Sequence, residues 1–128
     1  MEMTKEVMES ILDAYAYEIV FVDRNHIVQY MNKTARERYG ERVKIGASIF
    51  NCHNENSRRK IEEFLKRADA GEEGEFFEAL NGKTGEREFF VPVRDKDNKV
   101  IGYFERHEMP WSNEDPSHTV KEYWKNRI

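Results

Sequence analysis

Cysteine is almost missing from this chain. Cys52 is the only one in 128 residues, so no internal disulfide can form and a reducing compartment suits the protein. Proline is scarce as well, with Pro92, Pro110 and Pro116 alone, and neither internal repeats nor low-complexity tracts occur. No apolar run approaches the roughly 20 residues needed to cross a bilayer. The first residues alternate charge with apolar side chains instead of forming a signal peptide. Together these features predict a cytoplasmic protein with no membrane contact. Positive charge is in deficit: 21 Lys and Arg face 25 Asp and Glu, and a formal charge of −4 argues against a nucleic-acid surface. The sequence also shows no Ser-His-Asp set, no phosphate-cradling glycine loop and no metal triad, so no enzyme is expected.

What is present is one domain's worth of chain with an aromatic interior. Charged residues make up 36% and hydrophobic residues 38%, and the core must draw on 8 Phe and 6 Tyr. Thr4 can cap a first helix whose Val7, Met8, Ile11, Leu12 and Tyr15 form one stripe at helical spacing. Residues 18 to 22 and 27 to 31 then alternate as two strands around the turn Asp23-Arg24-Asn25-His26. In that turn Asn25 is the residue best suited to a left-handed conformation, and Asp23 can bond its own backbone two residues on. Asn32 sits where an N-cap would, and Gly40 where the short helix would stop.

Residues 43 to 56 fit neither period and predict loops with short helical turns, the place for the walls of a pocket. From Ser57 to Ala70 one amphipathic helix is expected, with Ile61, Phe64, Leu65 and Ala68 inward and Gly71 after it. Three strands follow, over 74 to 80, 87 to 95 and 100 to 107, joined by turn-rich segments into an antiparallel meander. Pro92 should mark an interruption or an outward-facing donor position. In that fourth strand Phe89, Val91 and Val93 point one way, and Phe90 and Pro92 the other, so both faces need cover. The segment boundaries are an N-terminal helix over 1–17, a main domain over 18–109, a linker over 110–118 and a short C-terminal helix over 119–128.

This order resembles the PAS sensory fold over about residues 10 to 109. The resemblance rests on Val22-Asp23 ending the first strand, Tyr30-Met31-Asn32 closing the second, Gly46 before the irregular segment, and Gly102-Tyr103 in the last strand. Around Cys52-His53 and Ser57 it is similar to PAS units of a bacterial and archaeal group that carries a Cys-His dipeptide. The implied architecture is α+β: a five-stranded antiparallel sheet flanked by helices. The implied role is sensing a small molecule in an apolar pocket and signalling through dimer or partner contacts, or else ligand-free dimerisation. PAS domains in general take haem, flavins, organic acids or other small ligands.

The residues speak against the first two. Asn51-Cys52 echoes the flavin-binding light sensors, but Ser48-Ile49-Phe50 intervene after Gly46-Ala47, and His53 stands where an Arg is expected. His53 facing an apolar pocket would be a normal axial haem ligand, yet the long helix, from which PAS domains usually take that ligand, has no His. A zinc shared by Cys52, His53, His107 and His118 is disfavoured by spacing. Met31, Phe50, Phe64, Phe77, Phe90 and Phe104 are either plain core or cavity lining, and the irregular segment beside them favours a cavity. Cys52 borders it, and Tyr30, Asn51 and His53 are its candidate polar groups. A homodimer through the N-terminal helix and the outer sheet face is expected, with an effector protein or domain as a further partner.

Overall fold

The computed structural model describes residues 1–110 together with Ser117, Thr119, Val120 and Glu122. Its elements are α1 (Lys5–Ala14), β1 (Val20–Asp23), β2 (Val28–Met31), α2 (Lys33–Tyr39), α3 (Glu55–Asp69), β3 (Phe76–Leu80), β4 (Arg87–Arg94) and β5 (Val100–Glu108). Short 3-10 turns occupy Gly40–Arg42 and Ile49–Cys52. All five strands form one sheet in the order β2-β1-β5-β4-β3, antiparallel throughout. The linker and most of the C-terminal helix expected from sequence lie outside the described residues. Within them, Thr119 Oγ1 accepts from the Glu122 N–H at 3.2 Å.

Local chemistry sets the helix ends. Thr4, Asn32 and Asn54 each place a side-chain oxygen on a backbone N–H of the first turn, satisfying donors that the helix leaves free. Gly40 at φ 55° and Gly71 at φ 100° provide the left-handed exits. Arg94 adds a side-chain cap, donating to the Ala68 and Glu72 carbonyls at 3.2 and 3.0 Å where α3 runs out.

The hairpin between β1 and β2 departs from expectation at one residue. His26, not Asn25, takes the left-handed conformation, at φ 65°. Asp23 explains why: its Oδ1 accepts from the Asn25 and Ile27 N–H groups at 2.8 and 3.0 Å, so Asn25 is spent inside the Asx turn. The reversal then falls on His26, whose Nδ1 lies 2.9 Å from the Tyr103 hydroxyl and whose ring packs 4.4 Å from Phe50.

The core lies between the sheet and α3. Ile61, Phe64, Leu65 and Ala68 are all buried, and Phe64 stacks on Phe90 at 4.9 Å and meets Phe76 and Tyr103 edge-on. Each such large apolar group contributes roughly 1.5–3 kcal/mol by leaving water. Pro92 sits mid-strand without disrupting the sheet: β3 ends at Phe76 opposite Phe90, so beyond Phe90 that side of β4 has no partner strand to bond. On the far side, residues 46 to 49 run along β2. Gly46 N–H donates to the Val28 carbonyl at 2.8 Å, Val28 N–H to Ala47 at 2.9 Å, and Ile49 N–H to His26 at 2.8 Å. That run carries the chain directly to the wall of a cavity.

Candidate ligand cavity

A cavity of about 290 Å³ opens between the sheet and the irregular segment. Its sheet side carries Glu18, Val20 and Val22 from the β1 region and Tyr103, Phe104, Glu105 and His107 from β5. Tyr39, Arg42 and Val43 close one flank, Ile49, Cys52 and His53 another, and Ile61 reaches in from α3. The wall is mostly apolar, with a few titratable groups set into it, the composition usual for small-molecule sites.

Of the residues singled out from sequence, Cys52, His53 and Phe104 line this cavity. Phe64, Phe90 and Met31 are buried in the core instead. Tyr30 turns toward α1, its hydroxyl donating to Asp13 Oδ1 at 2.8 Å. Phe50 lies between His26 and the Arg58 guanidinium, Asn51 is exposed, and Phe77 packs on Phe89 at the outer face, 60% exposed. Cys52 Sγ donates to the Ile49 carbonyl at 3.2 Å, and partial burial pushes its thiol up, away from the reactive thiolate. Burial lowers His53, outweighing the attraction of Glu88, and favours the neutral imidazole.

Sequence reasoning missed Glu18 and Glu86 and set His107 aside as a surface residue, yet all three are buried and make this region chemically unusual. His107 Nδ1 lies 2.5 Å from Glu86 Oε1 and its Nε2 lies 3.0 Å from Glu18 Oε1. Arg38 Nη1 reaches the same Glu18 oxygen at 2.5 Å. Burial opposes charge on His107, but the bond to Glu86 and the charges of Glu18, Glu88 and Glu86 prevail and raise its pKa. Beside this set stand Glu78, Glu88 and Glu105. Burial, then the nearby Glu105 and Glu88, pushes the Glu78 carboxyl up to about 9, and burial likewise raises Glu105. The signal was available in the alternation of β5. Tyr103, Glu105 and His107 are two apart, so a strand that turns Tyr103 into the core turns the other two inward with it.

A single antiparallel sheet with a cavity between one of its faces, the irregular segment and α3 defines an α+β pocket domain. The sequence model of the PAS domain family matches residues 8–106, and the chain belongs to that family. Solved structures share the fold at low identity. A C-terminal domain from Streptococcus mutans has a TM-score of 0.66 at 18% identity, covering 84% of this chain and 85% of that one. The PAS domain of a Colwellia psychrerythraea protein gives 0.55 at 17%, covering 81% and 94%. That of Bordetella pertussis BvgS gives 0.55 at 16%, covering 94% and 96%. No curated protein matches the chain.

Proposed function

We propose that this PAS domain is a sensory and signalling module that binds a small molecule in the cavity and passes the change to a second copy or an effector. The observation that carries the reading is the cavity itself: about 290 Å³ of space walled by apolar side chains, with Cys52, His53, Glu18, Glu105 and His107 set into the wall. That size is at the low end of the roughly 300–1,000 Å³ typical of ligand pockets. Support for signalling comes from the fold shared with a sensor histidine kinase of Vibrio cholerae (TM-score 0.55) and the PAS domain of histidine kinase ThkA (0.52).

The charges in the wall bear on the ligand's chemistry. Glu18 and Glu105 stand there with Arg42 and His107, so both signs are present and a neutral molecule with hydrogen-bonding groups suits the cavity best. The module is read as binding rather than catalytic, and a cytoplasmic location, suited to its lone Cys52, belongs to the same proposal. No helix among the described residues is long and apolar enough to cross a membrane.

The partner surface proposed is α1 together with the outer sheet face. No residue of α1 is buried, and its Met8, Ile11 and Tyr15 are about half exposed, while Phe77, Leu80 and Ile101 are exposed on the sheet. This apolar area also favours a second reading, a dimerisation module without a ligand. Native mass spectrometry of freshly purified protein separates the two: a bound small-molecule mass supports sensing, and a bare dimer that a broad metabolite screen fails to stabilise thermally overturns it.

A further inference from the structure

Glu18, Glu86 and His107 each offer one metal-type ligand atom within 4.8 Å of the others, and all three side chains are buried. Glu78, Glu88 and Glu105 form a second such group, with Glu88 Oε1 at 3.7 Å from His107 Nδ1 and Glu105 Oε2 at 4.0 Å from Nε2. Four carboxylates, Glu18, Glu86, Glu88 and Glu105, therefore gather around one imidazole, with Glu78 beside the last two. Carboxylates drawn together out of water repel one another and lose hydration, which protonation, as at Glu78 and Glu105, or positive charge offsets. Arg38 offsets part of it at Glu18 Oε1. The other oxygen of that carboxylate is left over: Glu18 Oε2 is buried, in a side chain 2% exposed, and no donor meets it. A proton on His107 engages only Oε1. A cation beside Nε2 would engage the carboxylate as a unit, since both oxygens hang from one carbon.

We propose that His107 Nε2 and the Glu18 carboxylate bind one divalent first-row transition-metal cation, with Glu105 as a third ligand and Glu86 holding the imidazole from behind. The spacings suit this. Metal–ligand bonds of about 2.1 Å place adjacent ligand atoms of a tetrahedral site roughly 3.4 Å apart. The Nε2 to Glu18 Oε1 distance is 3.0 Å, and Glu105 Oε2 lies 4.0 Å from Nε2, within reach of a shared cation once the side chains adjust around it. Glu86 Oε1 on Nδ1 at 2.5 Å is the carboxylate–histidine pairing that fixes the tautomer and raises the basicity of a ligating ring. As the cation takes its place, Nε2 gives its proton to water. Imidazole among carboxylates favours zinc, manganese or iron over calcium, which takes six to eight oxygens. Glu18, Glu105 and His107 face the cavity and Glu86 is not among its lining residues, so an open coordination position would point into the cavity. The site does not depend on the small-molecule reading and stands or falls separately from it.

Isothermal titration of chelator-treated protein with Zn²⁺ and with Mn²⁺ tests this. The expected result is one equivalent bound, with binding weakened about 100-fold in Glu18→Gln and roughly 10–100-fold in Glu86→Gln. The surface variant Asp69→Asn, remote from the cavity, should bind as wild type does. No binding by wild type, undiminished binding in Glu18→Gln, or an equal loss in Asp69→Asn overturns the proposal. If Glu18→Gln does not fold, X-ray absorption of Zn²⁺-loaded wild type decides. Nitrogen and oxygen neighbours alone, with an imidazole signature, support the site, and a sulfur neighbour overturns it.

Discussion

Two buried polar groups of this protein sit fourteen residues apart in sequence, Glu18 and Asn32, and they have opposite fates. Asn32 is fully enclosed and fully bonded. Its Oδ1 accepts from the Ile19 and Ala35 N–H groups, and its Nδ2 donates to the Leu12 and Tyr17 carbonyls, all within 2.9–3.0 Å. Every hydrogen-bonding position of the amide is used. One side chain thus ties the end of α1, the approach to β1 and the start of α2 into a single joint. Glu18 is buried nearly as deeply, yet while Arg38 and His107 both meet its Oε1, its Oε2 meets no donor. A satisfied buried polar group holds the fold, whereas an unsatisfied one in a cavity wall is where the proposed cation would act.

The contrast can be broken most directly at Asn32. Asn32→Leu would take the acceptor from the Ile19 and Ala35 N–H groups and one donor from each of the Leu12 and Tyr17 carbonyls, at about 1–3 kcal/mol for each lost acceptor, so urea denaturation should show a loss of at least about 2 kcal/mol. A loss below 1 kcal/mol would mean that the joint is not what fastens α1.

Asp23 is a second satisfied group and offers a pH test. Burial works against its ionisation, but the N–H groups of Ile27 and Asn25 and the Gln29 amide outweigh it and hold the carboxyl below its usual range. A depressed carboxyl stabilises the fold above its unfolded value of about 3.9 and loses that contribution as pH falls through the folded value. Asp23→Ala should therefore cost about 1–2 kcal/mol at neutral pH, with the gap to wild type closing in acid below pH 4. A gap that stays constant with pH would assign the effect to turn geometry instead of charge.

Glu18→Gln should cost less than about 1 kcal/mol. The amide keeps an oxygen for Arg38 and His107 and removes one charge from a crowded carboxylate group. If this variant falls as far as Asn32→Leu in the same denaturation series, the distinction between the two sites fails. Ile11→Ser on exposed α1 should move monomer stability by less than about 0.5 kcal/mol. Its effect should appear in sedimentation, as a weaker self-association.

Much of the fold was legible because its determinants are local. The spacing of Ile61, Phe64, Leu65 and Ala68, the caps at Thr4 and Asn32 and the exits at Gly40 and Gly71 all act within a few residues, and the structure uses each as expected. The helix α3 begins two residues before Ser57 because Asn54 caps it. The cavity was only partly legible. Cys52 and His53 are adjacent in sequence and stay adjacent at the wall. Glu105 and His107 lie on β5, whereas Glu18 stands just before β1 and Glu86 just before β4, and Glu on a charged chain reads as solvated surface until the strand partners are known. Likewise Phe64 and Phe90 read equally well as core or lining, and only their mutual stacking assigns them to the core.

The strip of residues 46 to 49 laid along β2 has a further consequence, for solution behaviour. It occupies the His26 carbonyl and the N–H and carbonyl of Val28, so the start of β2 offers no template to a stray extended chain. The opposite margin, β3, has no such cover among the described residues and displays Phe77 and Leu80 to water. Any runaway strand-by-strand assembly of this protein would accordingly grow from β3, and a lysine placed at Phe77 is the substitution to prevent it.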